Sequence, residues 1–149
     1  LRDDYDGRRL SHATVMRRIM ETVGPDAIVQ LGVRAGTREE FAVARQLHHA
    51  APRLDIPHPV WAWLERQPVY VTIDIDVLDP AEAPGTGNPE PEGVSAHDLL
   101  RLVRQLGLLH VVGVDIVEVS PPFDHGDITA ILASNIVFEY LSLLAIKSK

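Results

Sequence analysis

Apolar positions recur at helical spacing at Val15, Met16, Ile19, Met20 and Val23, which predicts a helix over residues 12–22. Ser11 stands where an N-cap belongs, and Gly24-Pro25 stops the pattern. Residues 27–33 (AIVQLGV) read as a strand. Thr37 then caps a second helix, with Glu39 and Glu40 in its first turn, that runs to about residue 49. Residues 51–68 hold Pro52, Pro57, Pro59 and Pro68 around a short segment at 61–66. They predict a connector and not a domain boundary, because Val60, Trp61 and Trp63 must pack on something. A β-favouring run at 69–75 predicts a buried strand, followed by a Gly- and Pro-rich loop over 83–93. Ser95 caps a helix to about residue 105, ended by Gly107. Residues 110–119 form an apolar strand interrupted by Asp115 and Glu118, and Ser120-Pro121-Pro122 breaks it. A long apolar helix is predicted over about 128–146. Strands alternating with helices, the strands nearly all apolar, predict an α/β fold: three αβα layers around a mainly parallel sheet covered on both faces.

At 149 residues the chain suits one domain. Its net charge of -7 argues against a nucleic-acid partner and favours cationic ligands. It has no Cys, so disulfide and thiolate chemistry are excluded. The apolar pattern predicts no membrane-spanning run, the start does not resemble a signal peptide, and a cytoplasmic protein is expected. The sequence shows no internal repeat and no low-complexity segment.

The chemistry concentrates at Val69-Tyr-Val-Thr-Ile-Asp74-Ile-Asp76-Val-Leu-Asp79-Pro80. Strand side chains alternate, so Asp74 and Asp76 are expected on one face of the strand. Paired carboxylates in an apolar setting repel one another and are costly to desolvate, and a cation between them removes both problems. A single Asp at a strand end is ordinarily a turn former. Three acids in six positions after a buried strand favour metal binding or catalysis. Asp115 and Glu118 are three apart and face opposite ways in a regular strand. Glu118, nearer the rim, is the better candidate for a guanidinium, which a carboxylate holds by paired hydrogen bonds. Asp115 reads equally well as a buried partner for a backbone amide or a helix cap. His12 follows an Asp- and Arg-rich loop, a place where a lone His is more often a surface or capping residue. His48, His49 and His58 read as solvated. Gly85-Thr86-Gly87 lacks the Lys-Ser/Thr of a phosphate loop and reads as a tight turn passing close to a site.

Thr72-Ile-Asp74-Ile-Asp76-Val-Leu-Asp79-Pro80, Ala83-Pro-Gly-Thr-Gly and Val117-Glu118-Val-Ser-Pro-Pro-Phe-Asp124 resemble the signature blocks of the ureohydrolase (arginase/agmatinase) family. Leu1-Arg-Asp-Asp-Tyr-Asp-Gly, Ser11-His12-Ala13-Thr14, Met16-Arg17-Arg18 and Gln30-Leu-Gly-Val-Arg34 resemble its agmatinase branch. The resemblance implies an arginase-like fold and hydrolysis of a guanidinium to urea and an amine with two manganese(II) ions. It implies that Asp74 bridges both metals and Asp76 binds one of them. It further implies that Glu118 orients the guanidinium and that His12 shuttles protons near the leaving amine. Asp79 carries over as a turn-shaping residue. Hard carboxylate oxygens suit manganese, and a cationic substrate suits an acidic site.

Two motifs that carry the family's other metal ligands, Gly-Gly-Asp-His-Ser and Asp-Ala-His-x-Asp, are absent from the sequence. The resemblance therefore implies the C-terminal portion of a single ureohydrolase domain with its N-terminal portion missing. Such a chain alone is expected to be inactive, to bind manganese weakly and to expose an unpaired sheet edge. The missing segment would be needed to complete the site, and the family's habit implies a homo-oligomer, trimer or hexamer. The acids of the loop Asp3-Asp4-Tyr5-Asp6-Gly7-Arg8-Arg9 favour agmatine over a carboxylate-bearing guanidine, while Arg8 and Arg9 keep arginine- or guanidinobutyrate-type substrates open. Two readings of other classes stand beside this one. A haloacid-dehalogenase-like phosphatase also uses Asp-x-Asp, but no Lys precedes Lys147 and Leu78 and Pro80 fit it poorly. A non-catalytic, oligomer-forming scaffold would use the 128–146 helix as an interface.

Overall fold

The computed structural model describes residues 1–147. Contacts divide the chain into two compact units, Leu1–Asp55 and a second from Ile56 onward. The division falls inside the proline-rich connector. Each unit carries one parallel strand pair.

In the first unit α1 spans Val15–Val23, β1 Val29–Leu31, α2 Arg38–Ala44 and β2 His49–Ala51. The helix expected from residue 12 opens as a 3-10 turn over His12–Thr14, where the Thr14 amide donates to the Ser11 carbonyl at 3.1 Å. At α2 the capping is reciprocal. The Glu40 amide donates to Thr37 Oγ1 at 3.2 Å, and Glu40 Oε2 accepts the Thr37 amide at 2.7 Å. The expected run of this helix to residue 49 is corrected. It ends at Ala44, and His49–Ala51 instead pairs in parallel with Val29–Leu31. Two consecutive histidines followed by alanines carry little β signal, so tertiary pairing overrides local preference there. Residues 3–9 fold back on themselves. Tyr5 and Arg8 exchange backbone hydrogen bonds at 3.0 Å around Asp6 and Gly7, both at positive φ (51° and 75°), as a tight hairpin turn requires. The apolar stripe of α1 faces outward: Val15, Ile19, Val23 and neighbouring Leu10 are exposed.

In the second unit α3 spans His58–Leu64, β3 Val69–Asp74, α4 Ala96–Leu106, β4 Val111–Val117 and α5 Ile128–Lys147. β3 and β4 pair in parallel, with Asp74 opposite Val117. The core gathers Val71, Ile73, Ile75, Leu78, Leu99, Val103 and Ile136, with Ile75, Val103 and Ile136 fully buried. Burying an aliphatic side chain of this size contributes about 1.5–3 kcal/mol. Of the connector's apolar residues Val60 is buried on α3 while Trp61 and Trp63 are half-buried; Leu64 is buried beside them.

Burial alternates along β3: Val71 and Ile73 are buried while Tyr70, Thr72 and Asp74 are exposed. Among the described residues each strand has one partner, and both pairs leave open edges. One expectation is corrected here: α5 is long and apolar enough to cross a membrane by length and composition, with 20 residues and a mean hydropathy of 1.7. The sequence reading missed this because Ser134, Asn135 and Glu139 interrupt the run. In the structure α5 lies against α4. Arg104 holds Glu139 in a two-pronged ion pair at 2.7 and 3.1 Å, and Gly107 meets Leu143.

Candidate functional site

β3 delivers Asp74 to its C-terminal end, and there the extended backbone stops. Ile75–Val77 turns into a 3-10 helix with Asp74 as its N-cap, whose Oδ1 accepts the Asp76 amide at 3.1 Å. This corrects the expectation that Asp74 and Asp76 share a strand face. They are brought together by a turn, not by strand alternation. Ile75 between them is fully buried and pins that turn to the core. Asp79 closes the segment. Its Oδ1 accepts the Ala81 amide at 2.9 Å and its Oδ2 the Gly93 amide at 3.2 Å, which is turn-shaping work. Gly93 packs so tightly there that a Cβ would sit 2.2 Å from the Asp79 nitrogen.

Glu118 is the first residue past β4. It is not in the strand alternation the sequence suggested, because its φ is +65°. For a residue with a side chain this left-handed conformation is strained by about 1 kcal/mol or more. The neighbours on both sides hold it there. Val117 is in register with Asp74, Val119 pairs with Thr86, and the Ser120 amide donates to the Gly85 carbonyl at 2.7 Å. Glu118 is thereby carried to the rim where Asp74 and Asp76 stand. The Asp74 carboxyl is pushed up from 3.8 to about 7, first by burial, then by the charge of Asp76. The Asp76 amide pulls the other way, and Glu118's charge adds to the rise.

Asp115 lies on β4, away from this group. Neither an amide nor a helix end is its partner. It accepts the Tyr70 hydroxyl at 2.8 Å and the Thr72 hydroxyl at 2.5 Å across the open face of the strand pair. His12 belongs to the first unit, exposed and edge-on to Tyr5 with ring centroids 5.4 Å apart. In the same unit Asp3 is engaged by Arg18 and by Arg9, and Arg18's hydrogen bond holds its carboxyl below the usual range. The sequence reading missed a further acid. Asp124 accepts the Thr129 and Ala130 amides at 3.0 and 2.9 Å at the start of α5. An Asp just ahead of a long apolar helix is the signal that could have found it.

Among the described residues no three His, Cys, Asp or Glu side chains converge as a metal site. The donors present nonetheless suit a hard divalent cation: carboxylate oxygens at a rim where burial and then neighbouring charge push Asp74 up. They fit such an ion in kind and fall short of a full coordination shell in number.

Fold and site define an α/β protein with an acidic, cation-attracting cluster at the C-terminal rim of parallel strands, where ligand sites of such folds lie. The chain belongs to the Arginase family, which matches residues 1–142. An agmatinase of Bacillus anthracis is 43% identical over 146 residues, covering 95% of this chain and 50% of that protein. A guanidinopropionase of Pseudomonas aeruginosa is 40% identical over 148 residues, covering 91% of this chain and 46% of its own length. A solved structure of a candidate agmatinase from Clostridium difficile superposes with a TM-score of 0.91 at 35% identity, covering 99% of this chain and 55% of that one. The chain thus spans about half the length of the relatives it matches. The arginase-like α/β class, with helices around parallel strands, is confirmed.

Proposed function

We propose that this chain supplies the Asp74, Asp76 and Glu118 side of a manganese-dependent ureohydrolase site, and that the intact protein hydrolyses agmatine to putrescine and urea. The observation that carries the reading is the placing of Asp74, Asp76 and Glu118 at one strand rim, where burial first and then the charges of Asp76 and Glu118 lift Asp74 to about 7. A divalent ion relieves that repulsion, and a guanidinium is the cationic group that Glu118 could hold by paired hydrogen bonds. Asp74 and Asp76 would hold the metal, which when bound supplies Lewis acidity and makes hydroxide available at neutral pH. Glu118 fixes the guanidinium plane. Water's oxygen bonds to the guanidinium carbon and gives up a proton, that carbon's bond to the chain nitrogen breaks, and the proton ends on the leaving amine, a transfer that the family resemblance assigns to His12. The intact protein, in this reading, pairs the chain with an upstream segment of the kind its relatives carry, within a single domain. It works as a cytoplasmic homo-oligomer, and the chain alone is inactive.

A second reading of the substrate has its own support. Asp3 is engaged by Arg18 and Arg9, which leaves Asp4 and Asp6 as the loop's remaining acids beside Arg8. A guanidino acid is then less strongly repelled, and the guanidinopropionase likeness points the same way.

The test is urea release by the full-length protein from agmatine, arginine and guanidinobutyrate with manganese. Agmatine is expected to be turned over fastest. Preference for guanidinobutyrate selects the second reading, and no release from any guanidine sinks both. Asp74→Asn is expected to abolish metal-dependent turnover, and Glu118→Gln to weaken it with metal content unchanged.

A further inference from the structure

Asp124, Thr129 and Gly85 form a chain of contacts that the site description leaves without a task. The Asp124 carboxylate takes the Thr129 and Ala130 amides on its two oxygens. The Thr129 side chain is fully buried, and its Oγ1 accepts the Gly85 amide at 2.7 Å. Gly85 has no room for anything larger. A Cβ there would stand 2.7 Å from Asp124 Cβ and 2.9 Å from Thr129 Oγ1. On its other side Gly85 accepts the Ser120 amide through its carbonyl, and Thr86 pairs with Val119. The two residues after Glu118 are therefore anchored to a loop that Thr129 fixes, while the residue before it is fixed by β3. Glu118 bridges these two anchors at a φ of +65°.

We infer that the Asp124–Thr129–Gly85 clamp is a positioning device that holds Glu118 in its left-handed conformation and so sets where its carboxylate meets a guanidinium. The inference rests on the guanidinium role proposed for Glu118. Without the clamp the Gly85 loop loosens, the Val119–Ser120 anchor goes with it, and the Glu118 backbone returns to the extended region that side-chain-bearing residues prefer. Asp124 and Thr129 need touch no substrate to do this. A plain helix cap would affect stability and leave substrate affinity alone.

The experiment compares wild type, Thr129→Val, Thr129→Ser and Asp124→Asn in the full-length protein, reading kcat and KM for agmatine and bound manganese. Thr129→Val keeps the shape and removes the acceptor for the Gly85 amide. It is expected to raise KM about tenfold or more, with kcat lowered less and manganese unchanged, a factor that corresponds to roughly 1.4 kcal/mol of binding. Thr129→Ser restores KM to within about twofold, because it restores the acceptor. An unchanged KM in Thr129→Val, or a loss confined to kcat or to metal, overturns the inference. Should Thr129→Val fail to fold, Asp124→Asn decides the matter, since an amide keeps an acceptor for one of the two N–H groups and the same KM rise is expected in weaker form. A crystal structure of either variant gives a reading independent of turnover. Glu118 at negative φ supports the clamp, and Glu118 still near its present φ refutes it. Wild type that releases no urea from any guanidine refutes the proposed function, and the φ measurement then still decides on the clamp.

Discussion

Asp74→Asn should stabilise this chain at alkaline pH while leaving it unchanged in acid. In the native structure Asp74 holds its proton up to about 7, against 3.8 ordinarily. The folded form therefore binds more protons than the unfolded form between about pH 4 and 7, and stability falls as pH rises through that window. The contribution is fully present below about pH 4 and lost above about pH 7. Taken at face value, a displacement of this size corresponds to roughly 4 kcal/mol. Asp74 is exposed along one side, however, and water screens the repulsion there, so a loss of about 1–2 kcal/mol is the better figure. Asparagine keeps the oxygen that accepts the Asp76 amide and carries no charge, so it escapes the loss. Urea unfolding, followed by fluorescence of Trp61 and Trp63 on α3 in the same unit, reads the difference. The variant should gain about 1–2 kcal/mol over wild type at pH 8 and nothing at pH 4, with the gap opening between. A variant less stable at pH 8, or offset equally at all pH values, would refute the electrostatic account of this rim.

Glu118→Gly should raise the stability of the metal-free chain by about 0.5–1 kcal/mol at pH 8, because glycine tolerates the left-handed φ and one of the acids acting on Asp74 is gone. A lower urea midpoint would show that Glu118 is held by contacts stronger than its strain. Gly93→Ala should cost about 3 kcal/mol or more, because the new methyl meets the backbone of Leu78 and Asp79 and not a movable side chain. Thermal unfolding within a few degrees of wild type would contradict that packing.

Much of this arrangement was legible from sequence because it depends on local chemistry. β3 declares itself by its β-branched run, α4 by the Ser95 cap, and the break after β4 by Pro121 and Pro122. The acids were legible as a group but not in their geometry. Alternation along a strand is a rule for extended backbone, and the extended backbone ends at Asp74, so the rule named the right pair for the wrong reason. Glu118's conformation carried no signal in its own residue type, since glutamate is a poor choice for positive φ. It is imposed from outside by Gly85, Thr86 and the β3 register. β2 was hidden for a similar reason: His49–Ala51 is a strand only because Val29–Leu31 lies beside it.

The same division explains why the acidic rim cannot be read as a stability device. Residues selected for a stable apo fold would not put a third acid, in a strained conformation, beside two that already repel. Each feature that lowers the stability of this rim, the raised Asp74 and the left-handed Glu118, is held in place by well-packed neighbours: Ile75 below and Gly85 beside it. Strain that persists because its surroundings overdetermine it is what the proposed function requires, since a bound cation and a guanidinium would then recover the repulsion. A cation should therefore stabilise the complete protein more at pH 8 than at pH 5, because Asp74, pushed up to about 7, gives up its proton only toward the higher pH.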